Sequence, residues 1–118
     1  MFKVPIVLEN SKIPERLSIF ITIGAITLWP FIIFRGEASE SVLNHEKIHI
    51  AQQQECFVVL FYLLYVFFWL RNLIRFRKEK DLFHIAYMNI PFEIEAYHNQ
   101  DDLDYCKSRS PYSWLSCV

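Results

Sequence analysis

Residues 44–70 read "NHEKIHIAQQQECFVVLFYLLYVFFWL", and the fold turns on how this stretch is arranged. Its first part, residues 44–55, is polar and carries two histidines four apart with a glutamate between them. Its second part, residues 56–70, passes without one charge. No Pro or Gly interrupts the chain from residue 37 to residue 90, so helix is the expectation throughout. Pro5, Pro14, Gly24, Pro30 and Gly36 all fall earlier, and that first third reads as strands and turns.

The 118 residues suit one domain, and 53% of them are hydrophobic against 21% charged. That balance is greasier than an ordinary soluble domain. It points to a membrane protein, a membrane-surface protein or a chain with a large buried partner face. The net charge of -1 speaks against nucleic acid as a partner. Arg71, Arg75, Arg77, Lys78 and Lys80 follow the apolar run, as on a cytoplasmic membrane face or at a solvated helix end. Three cysteines without a CxxC pair make neither a disulfide framework nor a cysteine metal site, and fit a reducing compartment. The opening "MFKVPIVLEN" is too short in its apolar part, and interrupted by Pro5, to read as a signal peptide.

Residues 17–34, "LSIFITIGAITLWPFIIF", are long enough for a transmembrane helix, but are rich in β-branched and aromatic residues. Two short strands are expected instead, near residues 19–23 and 26–34, with Pro30 marking an edge strand or a bulge. Ser39 or Ser41 can cap the following helix. Asp81 can cap another, and Pro91 suits the first turn of a last helix running to about residue 104. The tail, residues 105–118, is expected to be irregular or a loose flap. The expected architecture is therefore α+β: short N-terminal strands over residues 1–36, an active-site helix and an apolar helix over 37–77, a glutamate-bearing helical segment over 81–104, and the tail.

His45-Glu46-x-x-His49 is an HExxH pattern. Residues four apart share a helix face, so both imidazoles can reach one metal ion, and Glu46 can take a proton from a water on it. A zinc site of that kind needs a third protein ligand, for which Glu93, Glu95, His84 and His98 are the candidates, the two histidines being the weaker. Gln52 and Gln53 lie three and four past His49, where they can support a ligand, contact substrate or simply face solvent. The bland alternative is a helix that happens to carry two histidines.

HExxH followed some tens of residues later by a helical Glu resembles the gluzincin arrangement, shared by thermolysin-like and membrane-embedded CAAX-protease-like peptidases. Several such families read E-x-x-x-D or E-x-E-A-D on the second helix, and "EIEAY" stands here at residues 93–97. That likeness implies Glu93 on the metal and Glu95 off it, but Tyr97 stands in place of an aspartate that would steady a ligand histidine, and this departure keeps Glu95 as the runner-up ligand. Tyr97 could aim its hydroxyl at a developing oxyanion or merely pack. The chain also resembles small bacterial HExxH metallopeptidases with an "HEKIH-x-x-QQ" helix and a late "FExEAY", over most of residues 25–100. This implies Zn²⁺ and a peptide or protein substrate, with "LWPFIIF" laid out like the edge strand that receives a peptide. A core strand is the competing reading. Membrane contact through 56–76, and also 17–34, is expected, with the 71–80 cluster cytoplasmic. A non-catalytic membrane-associated or zinc-binding interaction module is the alternative.

One geometric condition constrains all of this. If residues 49–76 formed one straight helix, they would lead ~40 Å away, whereas residues 81–93 return only ~18 Å as helix. A bend near residues 56–58 would close the gap, although no Pro or Gly stands there to cause it.

Overall fold

The computed structural model describes residues 5–9, 25–34, 36 and 39–118. Among these are strands β1 (Ile6–Leu8), β2 (Ala25–Leu28) and β3 (Phe31–Phe34). Helices α1 (Glu40–Glu55), α2 (Val59–Arg75), α3 (Leu82–Met88), α4 (Pro91–Asn99) and α5 (Tyr105–Ser108) follow, with a final 3-10 turn over Ser113–Cys117. The chain is thus α+β and mostly helical, with more helices than the three expected.

The sheet order is β1-β3-β2, with β3 parallel to β1 and antiparallel to β2. The expected single strand over 26–34 is broken at Trp29-Pro30, a cis pair in the tight turn that joins β2 to β3. Pro30 lacks an N–H and so sits where no ladder bond is required, rather than at an edge or bulge. Phe31–Phe34 is consequently the central strand, paired on both sides, and its Ile32, Ile33 and Phe34 are buried. The expected strand near 19–23 lies outside the described residues.

Ser39 is the cap of α1, its hydroxyl accepting from the Val42 N–H. The decisive feature is the end of α1. There α1 and α2 meet at 113°, so the expected bend exists. The Val58 N–H reaches back to the Gln53 carbonyl (2.6 Å) and the Phe57 N–H to the Gln54 carbonyl (3.3 Å). This crossed pair is the Schellman closure, which satisfies the last carbonyls of a helix and needs a left-handed residue just past the cap. Phe57, at φ 55°, fills that place where glycine is usual. Val58 (φ 61°, ψ -65°) then forms a γ-turn, closed by the Val59 N–H on the Phe57 carbonyl at 2.6 Å. A β-branched residue in that region is strained, so the contacts of α2 must hold it there.

Those contacts are aromatic. Phe61 and Phe68 of α2 are buried with Cys56, Ile90, Phe92 and Trp114. Trp114 belongs to the tail, which therefore packs into the core rather than lying as a flap, its ring 4.6 Å from that of Phe92. A second cluster, Ile32, Phe34 and Ile50, joins β3 to α1. The buried Asn72 amide donates to the Ala86 carbonyl (2.9 Å) and ties α2 to the returning α3. Asp81 precedes α3 but makes no side-chain cap bond. Pro91 opens α4, which ends at Asn99 instead of near residue 104. Among the described residues no single helix is long and apolar enough to cross a membrane; α1 and α2 pass only as a bent pair.

Candidate metal centre

The bend sends α2 away at a steep angle, and α3 returns the chain so that α4 lies against α1. His45 and His49 face α4 from successive turns of α1, and Glu93 answers them from the first turn of α4. The three side chains are buried. Glu93 Oε1 lies 3.1 Å from Nε2 of His45 and 3.1 Å from Nε2 of His49. The two Nε2 atoms are 3.1 Å from each other. Ligand atoms at ~2.0–2.1 Å around a tetrahedral ion stand roughly 3.3 Å apart, so the triangle already has the dimensions of a metal site.

Both imidazoles are oriented from behind. His49 Nδ1 donates to Gln52 Oε1 at 2.8 Å, and His45 Nδ1 to Gln100 Oε1 at 2.9 Å. An amide oxygen only accepts, so each Nδ1 carries the proton and each neutral ring turns a bare Nε2 lone pair inward. Two lone pairs and a carboxylate oxygen then converge with no donor among them, an arrangement that a cation or an added proton must relieve. This buried group could hold a metal ion. Without metal a proton takes that place. Burial opposes a charged His49, but the adjoining Glu93 carboxylate more than compensates and pushes its pKa up to about 9. Burial likewise opposes the Glu93 charge, and the two histidines outweigh it, holding the carboxyl below its ordinary value.

The supports reach further. Gln52 donates its amide to the Phe92 carbonyl (3.0 Å) and to Glu95 Oε1 (2.9 Å). Glu95 is therefore no ligand; it anchors the glutamine that aims His49. Its remaining partners are the Tyr105 hydroxyl at 2.6 Å and Arg109, whose Nε is 2.8 Å away. Arg109 also binds Glu55 through two nitrogens, at 3.0 and 3.1 Å. Asn44 donates to the carbonyls of Gln100 (2.8 Å) and Asp102 (2.9 Å), fixing the segment that presents Gln100. The Tyr65 hydroxyl donates to Glu93 Oε2 at 2.7 Å. Burial and the Glu93 charge push its pKa well above the ordinary phenol value, so it remains a donor.

Glu46 is buried and accepts through Oε2 from the Thr27 hydroxyl of β2, and its charge acts on His49. Tyr97 does not point its hydroxyl at the centre: that group bonds the Tyr87 hydroxyl at 2.9 Å. Its ring instead packs edge-on against His45, centroids 4.3 Å apart. The steadying expected of an aspartate at position 97 comes from Gln100. Gln52 and Gln53 are not solvated surface, since both are 0% exposed. Gln53 takes the Trp29 N–H (3.1 Å) and donates to the Thr27 carbonyl (3.2 Å), pinning β2 to α1 rather than touching a ligand. His84 and His98 are exposed and outside the cluster.

Sequence reasoning did not single out Tyr65, Asn44, Gln100 or Arg109. Gln100 stands seven residues past Glu93, two turns along the same helical face, and that spacing could have flagged it. The other three carry no local signal. In comparisons with known proteins, no family model matches the chain, and neither a curated protein nor a solved structure matches it.

Proposed function

We propose that this chain is a membrane-associated zinc hydrolase of peptide bonds, with His45, His49 and Glu93 as the zinc ligands. The observation that carries the reading is the 3.1 Å triangle of Nε2, Nε2 and Oε1 with both Nδ1 protons committed to glutamines. Two imidazoles, which are borderline donors, and one carboxylate make a set that suits zinc, and three protein ligands would leave a coordination position for water or substrate. Bound zinc would lower the pKa of that water towards ~7 and polarise the peptide carbonyl. Glu46, one residue past the first ligand and steadied by Thr27, would accept the water proton and pass it to the leaving amine. Tyr65 would hold Glu93 in its ligating position, and Gln52 and Gln100 would keep both imidazoles neutral and aligned. The resemblance to gluzincins and to small HEKIH-x-x-QQ metallopeptidases supports the same assignment.

The test is zinc per chain in purified protein, wild type beside His49→Ala and Glu93→Ala, followed by Glu46→Gln on a peptide mixture read by mass spectrometry. About one zinc, lost in both ligand variants, and cleavage lost in Glu46→Gln with zinc retained are the expected results. A wild type without zinc after metal is resupplied would refute the reading. A second reading, a zinc-binding module without turnover, is favoured by one observation: the ligands and Glu46 are all at most 7% exposed. Zinc binding with no cleavage by the wild type would select it.

A further inference from the structure

α2 is apolar on two opposite faces, and only one of them is used. Phe61, Phe68 and Asn72 are buried, and Tyr65, on the same face, reaches Glu93. On the other side, at the same helical spacing, Leu63, Phe67, Leu70 and Ile74 are 50 to 67% exposed. Phe57, at the apex of the bend, extends the stripe and is 82% exposed. No described element covers this face. A run of large apolar side chains of that length marks an interaction surface.

The stripe ends in charge. Residues 71–81 hold five cations, Arg71, Arg75, Arg77, Lys78 and Lys80, against Glu79 and Asp81, a local +3 in a chain of net -1. All but Arg71 are exposed. We infer that α2 lies flat on an anionic lipid surface, its Phe57-to-Ile74 stripe in the acyl boundary and its terminal cations among the headgroups. A helix of this pattern beds ~5–10 Å into the headgroup boundary. Spanning is disfavoured: 17 residues cover ~26 Å, short of the ~30 Å core, and the opposite face is occupied by protein. A second copy of the chain is a poorer occupant. In an antiparallel contact the cations would meet the apex, where the acid, Glu55, is already bound to Arg109.

The metal centre lies against the other face of the same helix, with Phe61 6.3 Å from the His49 ring. A helix with its side chains is ~10 Å across, so the centre would stand about that far from the lipid boundary. Its substrates would then be peptide segments lying at the membrane surface. This consequence rests on the hydrolase reading above; the lipid contact does not.

The experiment is co-sedimentation of the purified full chain, metal-free and zinc-loaded, with phosphatidylcholine vesicles with and without phosphatidylglycerol. Wild type should bind only the anionic vesicles, in either metal state. Leu63→Glu/Phe67→Glu should lower partition at least about tenfold with unchanged melting temperature and zinc content, since both positions are exposed. Arg75→Gln/Lys78→Gln/Lys80→Gln should lower it by about 100-fold, roughly fivefold per cation. A wild type that binds neither vesicle would overturn the inference. So would a solution dimer broken by Leu63→Glu/Phe67→Glu, or a chain in cell membranes that alkaline carbonate fails to release. Vesicle binding without zinc binding would leave the lipid contact standing and remove only the hydrolase.

Discussion

Arg109→Met should be among the most damaging single changes outside the His45, His49 and Glu93 cluster. The guanidinium is 5% exposed and lies between Glu95 and Glu55, themselves 2% and 11% exposed. It spends Nε and one terminal nitrogen on Glu95, at 2.8 and 2.9 Å, and its two terminal nitrogens on Glu55. Methionine keeps most of the volume and none of the charge, leaving the buried Glu95 and the partly buried Glu55 carboxylates without a cation. Breaking a buried pair in this way costs about 3–5 kcal/mol. Glu95 retains the Tyr105 hydroxyl and the Gln52 amide, so the lower end, about 3 kcal/mol, is expected. For a chain of this length each kcal/mol moves Tm by about 4 °C, so thermal unfolding of the metal-free protein should shift down by about 12 °C. Neutralising the carboxylates as well, in Glu55→Gln/Glu95→Gln/Arg109→Met, should restore most of the loss. The acid limb gives a second readout. Burial opposes the Glu95 charge, but bonds from Arg109, Gln52 and Tyr105 hold its pKa below the ordinary value. Its contribution is thus present above pH ~4.5 and disappears as pH falls through the lower folded value. Arg109→Met should flatten that limb. A Tm within about 2 °C of wild type, with an unchanged acid limb, would refute the clamp.

The metal-free protein should also respond to base. His49 is raised from 6.5 to about 9 in the fold, so its contribution is complete below pH 6.5 and is lost as pH rises through about 9. Urea midpoints between pH 6 and pH 10 should fall, and His49→Gln should remove that dependence; a flat wild-type profile would contradict it. Tyr65→Phe deletes the bond to Glu93 Oε2 and should weaken zinc about tenfold in competition with a chromogenic chelator. An unchanged affinity would show that Glu93 needs no such support. Phe57→Gly should raise stability by about 0.5–1 kcal/mol, because the left-handed place costs glycine little and Phe57 loses almost no packing there. A lower Tm would argue against the Schellman closure.

The helix that carries the two histidines was legible in the sequence because its determinants are local. A four-residue spacing on a helix places His45 and His49 on one face whatever surrounds them. The likeness of "EIEAY" to the gluzincin second helix favoured Glu93 over Glu95, and the fold puts Glu93 with the histidines. The need for a bend near residues 56–58 followed from chain length and rise alone. How the chain makes that bend did not follow, because phenylalanine stands where a glycine signal would be read, and the strained Val58 after it depends on the packing of α2. The Trp29-Pro30 interruption was visible, but only strand pairing turned it into a hairpin with β3 at the centre.

Apart from Gln52, three residues past His49 on the same helix, the supports of the candidate metal centre belong to tertiary structure. Gln100 meets His45 across 55 residues, Tyr65 meets Glu93 across 28, and Arg109 meets Glu55 across 54. No periodicity links such positions, since each pair lies on different elements whose approach is set by packing. Composition likewise told that α2 is apolar all round, but not which face meets protein. Its amino acids determined a helix that must leave water; the return of α3 and α4 decided that Phe61, Tyr65 and Phe68 would be covered and Leu63, Phe67 and Ile74 left bare.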